Sequence, residues 1–358
     1  MAGKKPVPLN EYRPRRIALI KPSALGDVIH TLPVLGALRR RYPQAHLTWV
    51  VNRNYADLLR GHPDLDQVLP FDRHAPQKEW LEAALGYGQF FRQLRRQKFD
   101  LVIDLQGLFR SGLMTVATGA ARRVGLQSAR EGATWFYTDL ISVPDPEKLH
   151  AVDRYWLAIE ALGGGAQPKE FRLPRSETSD QWAHEMLAGN PRPWLMVGVG
   201  ARWMTKRWPA EHFATLLRKA QERFGGTAVF VGGRDETSTA RLVARRLHGH
   251  SVDLTGQTSL PQLTAVLATA DAMLANDTGP LHLATALGRP VVAPYTCTKV
   301  QRTGPYGSDG GVESRIWCQG SYLKRCGRLE CMTELTPFRL WPVLHEVLQA
   351  WEIRRQSA

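Results

Sequence analysis

The sequence predicts an α/β protein built from two Rossmann-like parallel-sheet domains facing a cleft. Three observations lead there. Strand-sized apolar runs alternate with helix-length stretches from residue 16 to 118 and again from residue 194 to 295, the pattern of a parallel sheet covered on both faces. A glycine- and proline-rich stretch, 163–193, which contains Gly163-Gly164-Gly165, separates the two series. The most regular unit, 271–292 (DAMLANDTGPLHLATALGRPVV), reads as strand, polar turn, helix and strand, with Pro280 at the helix start and Gly288 at its end.

Taken in order, residues 16–21 (RIALIK) form a buried-type strand, followed by the loop Pro22-Ser23-Ala24-Leu25-Gly26-Asp27 and a helix to about residue 42. Pro33 suits the first turn of a helix and strains one that starts much earlier, so the turn over 27–32 is expected to be loose. Strands follow at 46–51 and 67–71, a long helix at 80–98, a strand at 99–105 (FDLVIDL) and a helix at 108–118. In the second series 194–199 is a strand, 209–224 a helix with proline at its start, and 227–231 a strand. Helical stretches at 235–247 and 260–269 lead into the 271–292 unit. Beyond Tyr295 an irregular region runs to about residue 337, and a last helix, 338–351, closes the chain. The domains are therefore read as 1–170 and 194–337, with 171–193 as linker, helical character at 180–188 within it, and 338–358 as a C-terminal helix.

Composition narrows the function classes. The chain has 358 residues, enough for two cores, and Lys plus Arg exceed Asp plus Glu by 14. That excess divides evenly on either side of residue 180, so it is no basic tail; it favours an anionic partner, whether nucleic acid, acidic membrane or phosphorylated substrate. No zinc-finger, homeodomain or RNA-recognition pattern occurs, and no nucleic-acid partner is expected. No apolar run is long enough to span a membrane, and the opening MAGKKPVPLNEYRPRR lacks the apolar core of a secretory signal, so a cytoplasmic location is expected.

Ligands of open parallel sheets sit at the carboxyl ends of the strands, and the candidate residues lie there. Asp27, held near a helix start, stays ionised at neutral pH and can accept a proton from a hydroxyl; it serves equally well as a helix cap, and Ser23 suits either role. Lys206 and Arg207 precede a proline-started helix, where a cation and helix N–H groups can hold one phosphate. The turn before the 279–286 helix makes Asp277 or Thr278 either an N-cap or part of a phosphate site, and His282 either a ligand group or a helix-surface residue. Gly232-Gly233-Arg234-Asp235-Glu236 follows a strand in the same manner, a weak signal alone. GLFRS (107–111), RRVG (122–125) and SARE (128–131) place arginines after strands, suited to carboxylates or phosphates. Cys318, Cys326 and Cys331, with Cys297 as a fourth, lack the paired short intervals of a zinc site, and no metal is expected there. Trp203, Trp208 and Trp341 are read as packing residues.

The blocks KPSALGDVIHTLP, DLQGLFRSGL, SARE followed by FY, HAVDRY, KRWPAEHF and NDTGPLHLATALGRPVV occur in that order between Ile17 and Val292. With them the chain resembles the ADP-heptose:lipopolysaccharide heptosyltransferases of glycosyltransferase family 9, and SARE and HAVDR are most similar to the heptosyltransferase I branch. The resemblance implies a GT-B fold, acceptor bound mainly by the first domain, nucleotide sugar mainly by the second, and a C-terminal helix that packs back towards the first. Asp27 matches the family's general base, Lys206 its donor-phosphate lysine, and Asp277, Thr278, Gly279 and His282 its D-T-G-x-x-H donor motif. Arg130 matches the arginine expected to face the acidic acceptor, with Ser23 as a further acceptor-side candidate.

The implied reaction is an inverting transfer of heptose from ADP-heptose to a Kdo-lipid A type acceptor, peripheral on the cytoplasmic face of an anionic inner membrane. No cofactor is expected, and the sequence is read as having no aspartate-x-aspartate motif to carry a divalent ion. Two departures stand out: Ala201, Arg202 and Trp203 occupy positions where relatives often carry hydroxyls, and the cysteine-bearing segment is more similar to other members than to heptosyltransferase I. The alternatives are heptosyltransferase II, another family 9 transferase with a different acceptor, and a nucleotide-sugar epimerase of the same fold.

Overall fold

A computed structural model describes residues 7–72 and 80–357; residues 1–6, the start of the basic opening, lie outside the described residues. The chain divides into two compact units, Met1–Pro174 and Arg175–Ala358.

The first unit carries strands β1 (Arg16–Ile20), β2 (His46–Asn52), β3 (Gln67–Phe71), β4 (Leu101–Asp104), β5 (Arg122–Leu126) and β6 (Asp139–Ile141). All pair in parallel, in the order β3-β2-β1-β4-β5-β6, the strand order of a dinucleotide-binding sheet. Its helices are α1 (Leu25–Ile29), α2 (Leu32–Arg41), α3 (Trp80–Arg96), α4 (Phe109–Ala117) and α5 (Ala151–Ala161). Ala18, Ile20, Val50, Val102 and Leu94 form part of its core. The helix expected after β1 is broken: α1 covers Asp27, and α2 restarts with Pro33 in its first turn, where the missing proline N–H costs no hydrogen bond.

The second unit begins with α6 (Glu177–Leu187) and carries β7 (Trp194–Gly198), α7 (Ala210–Phe224), β8 (Thr227–Phe230), α8 (Thr237–Ala244), β9 (His250–Asp253) and α9 (Leu260–Ala268). β10 (Ala272–Ala275), α10 (Gly279–Ala286), β11 (Val291–Tyr295), α11 (Val300–Thr303), β12 (Gly311–Glu313), α12 (Glu330–Glu334) and α13 (Pro337–Gln356) complete it. Its parallel sheet runs β9-β8-β7-β10-β11-β12, the order of the first sheet with every strand number raised by six. In each unit the strand order reverses at one point, between β1 and β4 and between β7 and β10, and the crevice beyond those carboxyl ends is where such sheets bind ligands. At the second of these Gly198 pairs with Ala275, and a Cβ on Gly198 would come within 2.9 Å of the Ala275 Cβ, so the close approach requires glycine.

Four elements lack a strong local signature. β6 and β9 are short edge strands with partly exposed residues, β5 opens on two arginines, and α5 mixes charges into its apolar face. The helical character expected at 180–188 is α6, which starts earlier, is capped by the Ser176 hydroxyl and buries Ser179, Ala183 and Leu187, with α9 as a packing neighbour. The glycines and prolines flank that helix instead of interrupting it. α13 buries Leu340, Leu344 and Leu348 in the second unit's core, against α7. No helix among the described residues is long and apolar enough to cross a membrane.

Leu344 is fully buried, so Leu344→Ala should destabilise the second unit by about 2–5 kcal/mol. The measurement is the urea midpoint of that unit's unfolding; an unchanged midpoint would show that α13 contributes nothing to the core.

Candidate active site

In the first unit, the chain leaving β1 delivers Lys21 into the interior, 3% exposed. Its ammonium donates to the Leu105 carbonyl (2.9 Å) and to the Tyr155 hydroxyl (2.8 Å), and lies 3.8 Å from Asp27 Oδ1. Tyr155, from α5, donates in turn to Asp27 Oδ1 (2.8 Å), and the Ala24 N–H donates to Oδ2 (3.1 Å). The Asp27 side chain nonetheless remains 37% exposed. Burial alone would raise its pKa; the Lys21 charge, the Tyr155 and Ala24 hydrogen bonds and the Arg154 charge outweigh burial and lower it. Asp27 is therefore an accessible, ionised carboxylate held in one orientation.

Three loops at the carboxyl ends of β1, β4 and β5 are stitched together beside it. The Ser23 N–H donates to Gln106 Oε1 (3.1 Å), the N–H groups of Gln106 and Gly107 donate to Asp104 Oδ1 (2.8 and 3.1 Å), and the Arg130 N–H donates to the Gly107 carbonyl (2.8 Å). Tyr137 donates to the other Asp104 oxygen at 2.7 Å. Gly107 has φ +64°, and a Cβ there would press on Ala129 at 3.1 Å, so this junction needs glycine on both counts. Glu131 accepts the Phe109 N–H at the start of α4 (3.3 Å). Arg130 is exposed, and its guanidinium has no partner among the described residues.

The RRVG arginines require a correction. They lie in β5 instead of after a strand: Arg122 pairs with Asp139 at 2.6 Å and Arg123 donates to the Phe136 and Ala120 carbonyls. Both are occupied in holding the sheet edge. A second correction concerns metal motifs. Asp64-Leu65-Asp66 is an aspartate-x-aspartate pattern, but Arg172 holds Asp64 at 2.8 Å, and Arg39 and the Leu47 N–H hold Asp66.

In the second unit, the loop after β7 and the turn after β10 meet at Asp277. Lys206 Nζ donates to Oδ2 at 2.6 Å, Thr298 Oγ1 donates to the same oxygen at 2.7 Å, and His282 Nε2 lies 3.2 Å from Oδ1. Asp277 and His282 are 6% and 5% exposed; both carboxylate oxygens are occupied, so Asp277 anchors the lysine and the start of α10. Burial would raise the Asp277 pKa, and the Lys206 charge together with His282 drives it far below the ordinary carboxylate value. Thr278 is the N-cap of α10 in extended conformation, with Gly279 and Pro280 opening the helix, all three partly exposed. Asn276, fully buried, accepts the Trp208 N–H and donates to the Val199 carbonyl, fixing both ends of the Lys206 loop. Arg207 turns away, donating to the Ala201 carbonyl.

Five expected residues, Lys206, Asp277, Thr278, Gly279 and His282, thus form one cluster, and Ser23, Asp27 and Arg130 lie on three bonded loops of the other unit. Sequence reading missed Lys21 and Tyr155, although Tyr155 stands in HAVDRY, and it missed Thr298. It also gave little weight to Glu236. That carboxyl lies over the ends of β7 and β8, where a Cβ at Gly200 or Gly232 would overlap it, and burial with the neighbouring Asp235 raises its pKa to about 7. Trp208 is buried and donates to the Leu335 carbonyl, and Trp341 packs on the core. The Cys331 thiol is pushed up to about 11 by burial and by its neighbours Cys318, Cys297 and Cys326.

A sequence profile of glycosyltransferase family 9 (heptosyltransferase) matches residues 87–330. Over 95% of its length the chain is 34% identical to lipopolysaccharide heptosyltransferase 1 of Pseudomonas aeruginosa, all of which it covers. It is 24% identical, over 81% of its length and 85% of the relative, to lipopolysaccharide heptosyltransferase 2 of Escherichia coli. Among solved structures it is similar to the family 9 glycosyl transferase from Veillonella parvula (TM-score 0.83, 23% identity, 94% of this chain and 98% of that one). It is also similar to the E. coli heptosyltransferase WaaC with ADP-2-deoxy-2-fluoro heptose (TM-score 0.71, 25% identity, 92% and 99%).

A depressed Asp277 pKa stabilises the fold above the unfolded carboxylate value of about 4, and that contribution drains away as pH falls towards the folded value. The wild-type second unit should therefore lose stability between about pH 5 and pH 3, and Asp277→Asn should lose less across that window. At pH 7 the variant should be about 1–3 kcal/mol less stable, since the partly buried Lys206 loses its charged hydrogen-bond partner. Urea midpoints at several pH values decide it; equal slopes for the two proteins would show the pair is not what sets the acid sensitivity.

Proposed function

The chain belongs to glycosyltransferase family 9, and from that premise we propose that it is a lipopolysaccharide heptosyltransferase of type I character, inverting and metal-independent. It transfers heptose from ADP-heptose to a Kdo hydroxyl of a Kdo-lipid A type acceptor. The observation that carries the mechanism is Asp27: ionised, oriented by Tyr155 and Ala24, and still reachable from solvent. It takes the proton of the attacking hydroxyl as the new bond forms at the anomeric carbon, and ADP leaves from the opposite face. Negative charge growing on the leaving diphosphate is met by Lys206, already held in place by Asp277, and by the N-terminal end of α10 at Thr278 to Pro280. The charge stabilisation a divalent ion supplies in other transferases is thus assigned to fixed groups of the protein. Glu236, in its glycine-lined recess, fits the hydroxyls of the nucleotide ribose.

On the acceptor side, exposed Arg130 suits the carboxylates of Kdo, with the Ser23 loop beside it. Arg110 and a strongly exposed Trp135 (84%) lie on the same unit and support peripheral attachment to the cytoplasmic face of an anionic membrane, where a lipid-linked acceptor resides. Type II specificity is the second reading, favoured by the cysteine-bearing segment and by the type 2 relative.

Transfer from ADP-heptose to Kdo2-lipid A, but not to heptosyl-Kdo2-lipid A, in EDTA, is the expected result. Transfer to the second acceptor alone would move the protein to type II, and a requirement for added metal would overturn the mechanism. Asp27→Asn should lower kcat at least a hundredfold, the order expected for loss of a general base, while ADP-heptose still binds. Full turnover in a folded Asp27→Asn protein would remove Asp27 from the chemistry.

A further inference from the structure

The loop before Lys206 offers little else to a diphosphate. Ala201 and Trp203 bring no hydroxyl, and the Thr205 hydroxyl is already engaged: it donates to the Leu323 carbonyl and accepts the Cys297 thiol. Lys206 is matched by a buried carboxylate at 2.6 Å, so the pair as a whole carries no net charge. A nucleoside diphosphate bound here gains from cations beyond that pair and beyond the exposed Arg202 of the same loop.

The cysteine-bearing segment supplies one. It is pinned at successive points: the Gln319 side-chain amide donates to the Thr298 carbonyl (3.1 Å), the Tyr322 N–H donates to the Cys297 carbonyl (2.9 Å), and the Leu323 carbonyl accepts from the Thr205 hydroxyl. These contacts tie residues 319–323 to the end of β11 and to the Lys206 loop. The next residue is Lys324. Its ammonium lies 5.5 Å from the centre of the Trp203 ring, the same ring that Lys206 Nζ approaches at 4.7 Å. Both ammoniums are thereby held around one indole, whose face attracts cations. Lys324 is exposed and has no carboxylate partner among the described residues, so its full charge is available.

We propose that Lys324 is a second diphosphate-binding residue of the donor site, placed there by the cysteine-bearing segment and by Trp203. The inference rests on the reading of the Lys206 cluster as the donor site. It gives the segment a role, and it gives Trp203 one: the ring positions a second cation beside Lys206. Lys324 meets the phosphate oxygens as a point charge, and its contribution grows as the leaving diphosphate gains charge.

The test is calorimetric titration of the full chain with ADP and with adenosine at fixed low ionic strength, for wild type, Lys324→Met and Lys324→Arg. The expected result is about tenfold weaker ADP binding in Lys324→Met, the loss typical of one charge-assisted contact, with adenosine unchanged and ADP affinity largely restored in Lys324→Arg. The KM for the nucleotide sugar should rise in parallel. Unchanged ADP binding in Lys324→Met would overturn the proposal, as would equal weakening of ADP and adenosine, which would mark a structural effect of the segment. If wild type prefers UDP or GDP to ADP, the ADP-heptose assignment falls while the same comparison with the preferred diphosphate still decides Lys324. If it binds no nucleoside diphosphate, both fall.

Discussion

A charge taken out of water must find its counter-charge, and each unit of this protein is arranged around one such pair at the point where its strand order reverses. In the first unit Lys21, buried at the end of β1, reaches Asp27 through Tyr155. In the second, Lys206 and Asp277 join the loop after β7 to the turn after β10. Buried pairs of this kind add little net stability, because desolvation cancels most of the attraction. Their effect is geometric: neither partner can move without leaving the other uncompensated, so the loops that carry them are held in place. A parallel sheet supplies the strand ends, and the pairs fix what stands on them.

The two units share a strand order, yet the pairs are used differently. Asp27 keeps 37% of its side chain exposed, whereas Asp277 keeps 4%. The first carboxylate therefore faces outward with the lysine buried behind it. The second is sealed beneath its cation, with Thr298 and His282 filling its remaining hydrogen-bonding capacity, and the lysine is the more exposed partner. On the proposed reading, inverting which partner is buried makes one pair a proton acceptor and the other an anion receptor.

Much of this was readable from the sequence because it is written in local chemistry. Pro280 and Gly288 mark both ends of α10, and unbroken apolar runs mark β1, β4, β7 and β10, the strands that carry the sites. What escaped depends on distant pairing. Tyr155 and Asp27 are 128 positions apart, and Lys206 and Asp277 are 71 apart; no periodicity reports such contacts. Edge strands β6 and β9 escaped because half-exposed residues carry no continuous apolar signal. The helical character read at 180–188 is α6, but its setting reads as linker because Gly189, Pro191 and Pro193 punctuate a helix whose buried face is small, Ser179, Ala183 and Leu187. The aspartates of Asp64-Leu65-Asp66 show the opposite failure, a pattern legible in sequence whose side chains are engaged elsewhere.

The environment of Asp27 also constrains how the proposed displacement proceeds. A carboxylate whose pKa is lowered by Lys21, Tyr155 and Ala24 against the pull of burial is certain to be ionised, and for the same reason it is a weak base. It does not deprotonate a resting sugar hydroxyl. In the proposed reaction it becomes an adequate acceptor as the bond to the anomeric carbon advances and the hydroxyl oxygen turns positive, so proton transfer accompanies bond formation. The bond to the departing diphosphate must then break early, leaving an oxocarbenium-like sugar that a weak nucleophile can meet. The chief burden of catalysis passes to the second unit, where positive charge has to be in place before the phosphate oxygen acquires its own. On the proposed reading, a carboxylate held ionised is best matched by a strongly cationic donor site, and the proposed lysines around Trp203 would supply it.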